Sequence, residues 1–333
     1  MYTLGVGLVS GALALSAAVM ARAAAQPGPD EDPAAALLEV PVRPLRLLLV
    51  GSPEAQPHAR ASVSVSRYQQ TTNPRAVNEQ GCLAGRRDVG GLVILDFGKP
   101  SWNGHTYGTV LFSTRFASNK HITQALYAFA VGYVRCLPRA SDRRIVLARG
   151  TSNYQVMLPS PYDAGRAWAR ETARLSRLLQ LHPGIAEHVQ SAAADDVEPA
   201  WDRAFRRTRG FLRGFRAAPT PQLLYNFGSL DGGAGDIWTL AEAYYVAAAG
   251  NTRVVPEIYS HSMAHQWARL AKRGMHRYHR PLRFAGVLTQ HHAGCRCSLK
   301  PRAARQALVR ALAFHVGKAA PGVPPTLTNI AYS

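Results

Sequence analysis

The chain has 333 residues, enough for one large domain or two small ones with a sizeable buried core. It carries 39 Lys and Arg against 20 Asp and Glu, a net charge of +19, and only five of the cations are Lys. That charge favours anionic surfaces. The arginines are nevertheless spread along the chain, and neither the aromatic and glycine patterning of a single-strand binder nor a zinc-finger spacing occurs, which argues against nucleic acid as the partner.

Tyr2 to Met20 is apolar and rich in small residues and runs into Ala21-Arg-Ala-Ala-Ala25. The pattern predicts a signal peptide over residues 1–25, without the usual positive charge before its core; an uncleaved membrane anchor is the alternative. A secreted or wall-associated, extracellular protein follows. Residues 26–81, rich in Pro, Ala, Arg and Ser with one apolar run at Leu45 to Val50, read as a leader or linker. The organised domain is expected over 82–316, with a tail over 317–333.

Within it, short apolar runs alternate with helical periodicity. Strands are expected at Leu92 to Leu95, Ile145 to Ala148, Val189 to Ala194, Leu223 to Phe227, Tyr244 to Ala248, Val254 to Tyr259 and Phe284 to Thr289. Helices are expected at Lys120 to Arg135 with a Ser118-Asn119 cap, Asp163 to Leu181, Trp201 to Arg216, around Thr239 to Ala243, Ser262 to Lys272 and Arg302 to Phe314. Repeated strand-then-helix order means parallel pairing under a helical layer. The simplest closure is an α/β (β/α)8 TIM-like barrel, irregular or incomplete, whose eighth strand is Leu45 to Val50 or the tail around Leu327 to Tyr332. An open doubly wound sheet is the rival, but Phe97-Gly98-Lys99-Pro100 is not a phosphate-binding turn.

Four cysteines, Cys82, Cys136, Cys295 and Cys297, suit one or two disulfides in an oxidising compartment. Their pairing is open. A Cys295–Cys297 bridge would be strained, so bridges across the fold, such as first segment to last, are geometrically easier.

Acids are scarce, so those gathered at expected strand ends read as a site. Asp96 ends Gly91-Leu-Val-Ile-Leu-Asp96, and Asp195, Asp196 and Glu198 follow Ala192-Ala-Ala. In an extended segment Asp196 and Glu198 share a side, opposite Asp195 and Val197. Paired carboxylates can act as acid and as base or nucleophile on a glycosidic bond when their environments separate their pKa values. The competing reading makes these acids partners of the following helix's N-terminal dipole. Tyr225, Asn226, Glu257, Tyr259 and Gln290 sit near further strand ends, where amides and aromatic faces suit a sugar.

No Gly-x-Ser-x-Gly elbow occurs. His291-His-Ala-Gly-Cys-Arg-Cys297 and the pair His261 and His265 do not match a zinc frame, so no metal and no cofactor is assigned. Arg149-Gly-Thr-Ser-Asn-Tyr154 is a polar strand exit, read as a substrate loop or a plain turn.

At Leu95-Asp96-Phe-Gly, Ala148 to Tyr154, Asp196-Val-Glu198-Pro-Ala-Trp201, Tyr225-Asn-Phe-Gly-Ser229, Pro256-Glu-Ile-Tyr259 and Phe284 to Gln290, the chain resembles a group of uncharacterised secreted actinobacterial proteins. More distantly, an early strand ending in Asp, a mid-barrel Asp-x-Glu and a late strand ending in Gln resemble family 25 glycoside hydrolases, the lysozyme-like muramidases. That resemblance implies a glycosidase acting on cell-wall glycan, with Glu198 as proton donor and Asp96 and Asp196 shaping the site or stabilising charge. The alternative is a non-catalytic barrel that binds wall or anionic polymer.

Overall fold

The computed structural model describes residues 63–231, 237–290 and 298–333. The expected signal peptide, the Leu45 to Val50 run, His291, His292, Cys295 and Cys297 lie outside the described residues.

The chain runs β1 (Val63–Tyr68), α1 (Pro74–Arg86) and β2 (Gly91–Asp96), then a small antiparallel insertion of β3 (Lys99–Trp102), β4 (Tyr107–Val110) and β5 (Phe116–Ser118). It continues through α2 (Asn119–Cys136), β6 (Ile145–Ser152), α3 (Pro161–Gln180), the single turn α4 (Pro183–Ala186), β7 (Val189–Asp196), α5 (Phe205–Arg216) and β8 (Leu224–Asn226). The remainder is α6 (Leu240–Ala248), β9 (Thr252–Val254), α7 (His261–Tyr278), β10 (Val287–Thr289), α8 (Pro301–Val316) and β11 (Leu327–Tyr332).

Eight parallel strands form one sheet in the order β10-β11-β1-β2-β6-β7-β8-β9. The last strand in sequence pairs with the first over Val63↔Leu327 to Tyr68↔Tyr332. The β9–β10 seam is made by isolated parallel bridges, Val254↔Phe284 and Glu257↔Leu288, instead of a continuous ladder. The fold is therefore a (β/α)8 barrel, incomplete at one seam.

Strand alternation divides the core. Leu92, Ile94, Ala148, Ala192, Ala194, Tyr225, Phe227, Leu288 and Ile330 fill the interior, while Val93, Leu95, Leu147, Ala193 and Val197 pack under the helices. Ser64 and Ser66 are buried polar residues of β1; the Ser66 hydroxyl lies 2.7 Å from that of Thr328 and accepts from the Ile94 N–H at 2.8 Å.

Several expectations are corrected here. Tyr244 to Ala248 is the end of α6 and not a strand: the Thr239–Glu242 capping box starts a helix, and Tyr244 stacks on Tyr278 of α7 at 4.5 Å. β1 and α1 fall in the segment read as a leader, while Leu327 to Tyr332, offered as the eighth strand, is β11, so the barrel strands span Val63 to Tyr332 and exceed the expected 82–316. The helix expected from Trp201 begins at Phe205.

The disulfide joins Cys82 of α1 to Cys136 of α2, neighbouring helices, and not the first segment to the last. These helices pack almost backbone to backbone: a Cβ on Gly81 would lie 2.1 Å from the Phe129 carbonyl oxygen. The same device joins α3 to α5, where a Cβ on Gly214 would lie 1.8 Å from the Tyr162 oxygen. No helix among the described residues is long and apolar enough to cross a membrane.

Candidate active site

The acids collect at the C-terminal ends of the barrel strands, where chemistry sits in this architecture. Asp96 ends β2 and Asp196 ends β7, both on the interior side of their strands. Room beside Asp96 comes from Gly150, its register partner on β6, whose added Cβ would lie 2.8 Å from the Asp96 Cα. Asp196, Glu198 and Glu257 each place a carboxylate oxygen within 4.8 Å of the others.

The segment carrying Glu198 is held from outside the barrel. The Asn153 side chain accepts from the Glu198 N–H at 3.1 Å and donates to its carbonyl at 3.0 Å, and Nδ2 is also 3.2 Å from the Thr208 hydroxyl. The polar exit after β6 is therefore a brace for the acid. Ser229, whose hydroxyl donates to Asp231 at 2.9 Å, lies beside the Glu198 carboxylate and lowers its pKa.

Burial dominates the electrostatics. Desolvation lifts Asp96 to about 7, against one backbone hydrogen bond from Gly98 at 2.9 Å; the other oxygen has no hydrogen-bond partner among the described residues. Desolvation, then the charges of Glu257, Glu198, Asp96 and Asp195, pushes Asp196 well above the carboxylate range. Desolvation and Glu198 do the same to Glu257. Glu198 is raised by desolvation and Asp231, while hydrogen bonds from Ser229 and Glu257 pull it back. Of the facing pair, Glu257 is therefore the proton-rich member and Glu198, less deeply buried, the more charged one.

Asp195 points the other way, into the layer beneath the helices. Both its oxygens are buried without a hydrogen-bond partner among the described residues, and desolvation, then Asp96, raises it well above the usual range. None of these acids lies in the first turn of α5. Asp202 serves that helix end instead, accepting from the Ala204 N–H at 3.0 Å and pairing with Arg207 at 3.5 Å.

Around the acids, Gln290 donates to the Tyr68 hydroxyl, and Tyr259 lies beside Glu257, which with desolvation lifts its phenol far above the ordinary range. Asn226 stands apart: its carboxamide oxygen accepts from the Gly228 N–H at 3.2 Å, and the residue alternates with interior Tyr225 and Phe227. Tyr225 is buried in the barrel interior, and besides desolvation it responds to Arg253, not to the acids.

Tyr68 is the functional residue that sequence reasoning missed. Its phenol is raised by desolvation and by Glu257, Asp196 and Asp96, so it faces all three. It packs at a tilt against Phe112 at 4.8 Å and Tyr332 at 5.2 Å, and Tyr332 is 54% exposed. Tyr154, under the Lys99 ammonium at 4.5 Å, is a further part-exposed aromatic on the loop after β6.

Asp196, Glu198 and Glu257 are also the residues that could hold a divalent cation, in competition with the protons their burial favours. His265 lies elsewhere, its Nδ1 3.0 Å from Nε2 of His315 between α7 and α8.

No protein-family model matches the chain, and the curated proteins give no match either. Among solved structures the chain is similar to an endoglucanase from Pseudomonas stutzeri, at 11% identity over 82% of this chain and 86% of that one, with a TM-score of 0.38. It is also similar to a GH26 beta-mannanase from Bacteroides ovatus, at 10% identity over 82% and 81% of the two chains, with a TM-score of 0.37.

Proposed function

We propose that the barrel mouth is a glycosidase site acting on cell-wall glycan in an exported protein, with Glu198 and Glu257 as its acid and base pair. The observation that carries this reading is the facing pair itself: two carboxyls of different burial, with oxygens within 4.8 Å and both displaced upward, beside a third in Asp196. Such a pair titrates as a unit.

Glu257 is the more deeply buried of the two, so before a sugar binds the proton favours it. A sugar that covers Glu198 removes its remaining water, raises it further and draws the proton toward it. Glu198 can then protonate the departing oxygen as the glycosidic bond breaks, while the ionised Glu257 bonds to the sugar carbon and Asp196 stays protonated as a hydrogen-bond donor; a water that gives its proton to Glu198 then displaces Glu257. Carboxyl oxygens within 4.8 Å suit the close spacing of about 5 Å typical of retaining enzymes better than the wider gap that admits a water.

Tyr68, Gln290 and Tyr259 line the same mouth and would bond sugar hydroxyls, with Tyr332 as a stacking face. The Cys82–Cys136 bridge supports an oxidising destination. A distant likeness to muramidases at Asp96, Asp196-Val-Glu198 and Gln290 motivates peptidoglycan as the substrate.

The second reading, a barrel that grips glycan without cutting it, is favoured by one observation: Asp196 and Glu257 are held so high that they act as neutral donors. The two are separated by incubating the parent, Glu198→Gln and Glu257→Gln proteins with peptidoglycan and following new reducing ends by mass spectrometry. Release by the parent and loss in both variants is expected. Release by none of the three, with glycan binding intact, selects the gripping barrel.

A further inference from the structure

The face opposite the acids carries the reverse charge. Glu257 and Gln290 follow the C-terminal ends of β9 and β10, whereas Gly250 and Arg283 precede the N-terminal ends of the same strands. Arginines from three segments come together there: Arg216 at the end of α5, Arg253 in β9, and Arg280 with Arg283 in the connection from α7 to β10. Arg283 and Arg280 both donate to the Gly250 carbonyl, the second at 3.4 Å. The Arg216 Nε would lie 3.0 Å from a Cβ placed on Gly250. Arg253 is the middle residue of β9, and after desolvation the charges of Arg280 and Arg253 bear on Arg283.

Part of this arrangement has a plain structural use. Gly250 lies just past the end of α6, where the helix dipole favours cations. One guanidinium would satisfy that carbonyl; two reach it, and Arg216 packs against Gly250 without bonding it. None of the four has an acidic partner within salt-bridge distance among the described residues. Arg216 and Arg283 are exposed, and Arg253 and Arg280 are partly covered, so their remaining N–H donors are open to solvent. Like charges held together at a surface are relieved by an anion that accepts from several at once.

We propose that the cluster of Arg216, Arg253, Arg280 and Arg283 around Gly250 binds a phosphate group. A carboxylate presents one planar edge and one charge, which a single guanidinium fork saturates. A phosphate presents three or more acceptor oxygens and up to two charges, and so can engage forks arriving from different directions. The site is independent of the acids: it occupies the other pole of the barrel and stands whether or not the mouth cuts glycan.

The test is calorimetric titration of the whole protein with inorganic pyrophosphate at fixed ionic strength. Two cluster variants are compared, Arg280→Gln/Arg283→Gln and Arg216→Gln/Arg253→Gln, the second leaving the Gly250 donors in place in case the first fails to fold. A charge-matched control, Arg302→Gln/Arg310→Gln, removes two exposed arginines from α8. Saturable binding is expected to weaken by about ten-fold or more in the cluster variants and to change by less than about two-fold in the control. No saturable binding by the parent, or equal weakening in the control, overturns the proposal. A parallel titration with short-chain polyphosphate distinguishes the sources: tighter binding per site assigns it to a phosphate-bearing chain, and equal binding assigns it to the free ion.

Discussion

Asn153 grips the main chain of Glu198 on both sides, accepting from its N–H at 3.1 Å and donating to its carbonyl at 3.0 Å. The two residues follow adjacent parallel strands, so the bracket fixes one strand's exit against the next.

Replacing Asn153 should therefore move the acid without touching substrate. Asn153→Ala is expected to lower kcat by about ten-fold or more at a stability cost of about 1–3 kcal/mol from the groups left unpaired. Asn153→Asp keeps the acceptor and loses the donor, and should fall between. Steady-state kinetics on peptidoglycan fragments, beside thermal unfolding, checks both; an unchanged kcat in the Ala variant would remove Asn153 from the mechanism.

Asp195 and Asp196 are neighbours in sequence and opposites in the fold. Asp196→Asn should lower kcat/KM by about 100-fold, because its carboxyl faces Glu198 and Glu257. Asp195→Asn should leave turnover close to the parent's, because its carboxyl lies beneath the helices. Equal loss in the two variants would contradict the strand parity.

Stability should fall as pH rises. The folded chain holds Asp96, Asp195, Asp196 and Glu257 above their unfolded values, so it binds more protons than the unfolded chain. The resulting stability is complete below the unfolded carboxylate range, near pH 4, and for Asp96 is lost by about 7, with the other acids extending the loss further up. Asp96 alone contributes on the order of a few kcal/mol to this slope. Thermal midpoints from pH 4.5 to 8 should decline in the parent and decline less in Asp96→Asn; parallel curves would show that Asp96 is not buried as a neutral acid.

The Cys82–Cys136 bridge closes a loop with a sequence separation of 54. Chain-entropy arguments put its contribution at about 4 kcal/mol. A Cys82→Ala/Cys136→Ala protein should melt well below the oxidised parent. A midpoint that does not move would mean that the glycine-mediated contact of α1 and α2 suffices alone.

What the sequence disclosed and what it hid follow from the range of the interactions. The cores of β2, β6 and β7 and the helices α2, α3 and α8 are written in local periodicity and caps, such as Ser118, whose hydroxyl accepts from the His121 N–H. β1 was hidden because Val-Ser-Val-Ser-Arg-Tyr places serines where a barrel interior is expected to be apolar; they are satisfied by Leu327 and Thr328 of β11 and by the strand carrying Leu92 and Ile94, all distant in sequence. Tyr68 was lost with it. The Asp196 and Glu198 side of the chain was legible from a two-residue spacing. Glu257 was seen only as a substrate contact, since its closeness to Glu198 depends on the two helices and two strands between them. Asn226 looked like a sugar ligand because strand ends do not announce which side they present.

The pairing of β1 with β11 also sets the order of events in folding. Val63 waits for Leu327 and the Ser66 hydroxyl for that of Thr328, so the joint beside Tyr68 cannot form until nearly all the described chain is available. Contacts of such sequence separation are slow to find. Early in folding, the units from β2 to β7 can assemble as an open sheet with both edges unpaired, and the aromatic wall of Tyr68, Phe112 and Tyr332 arrives last, as the latch of the ring.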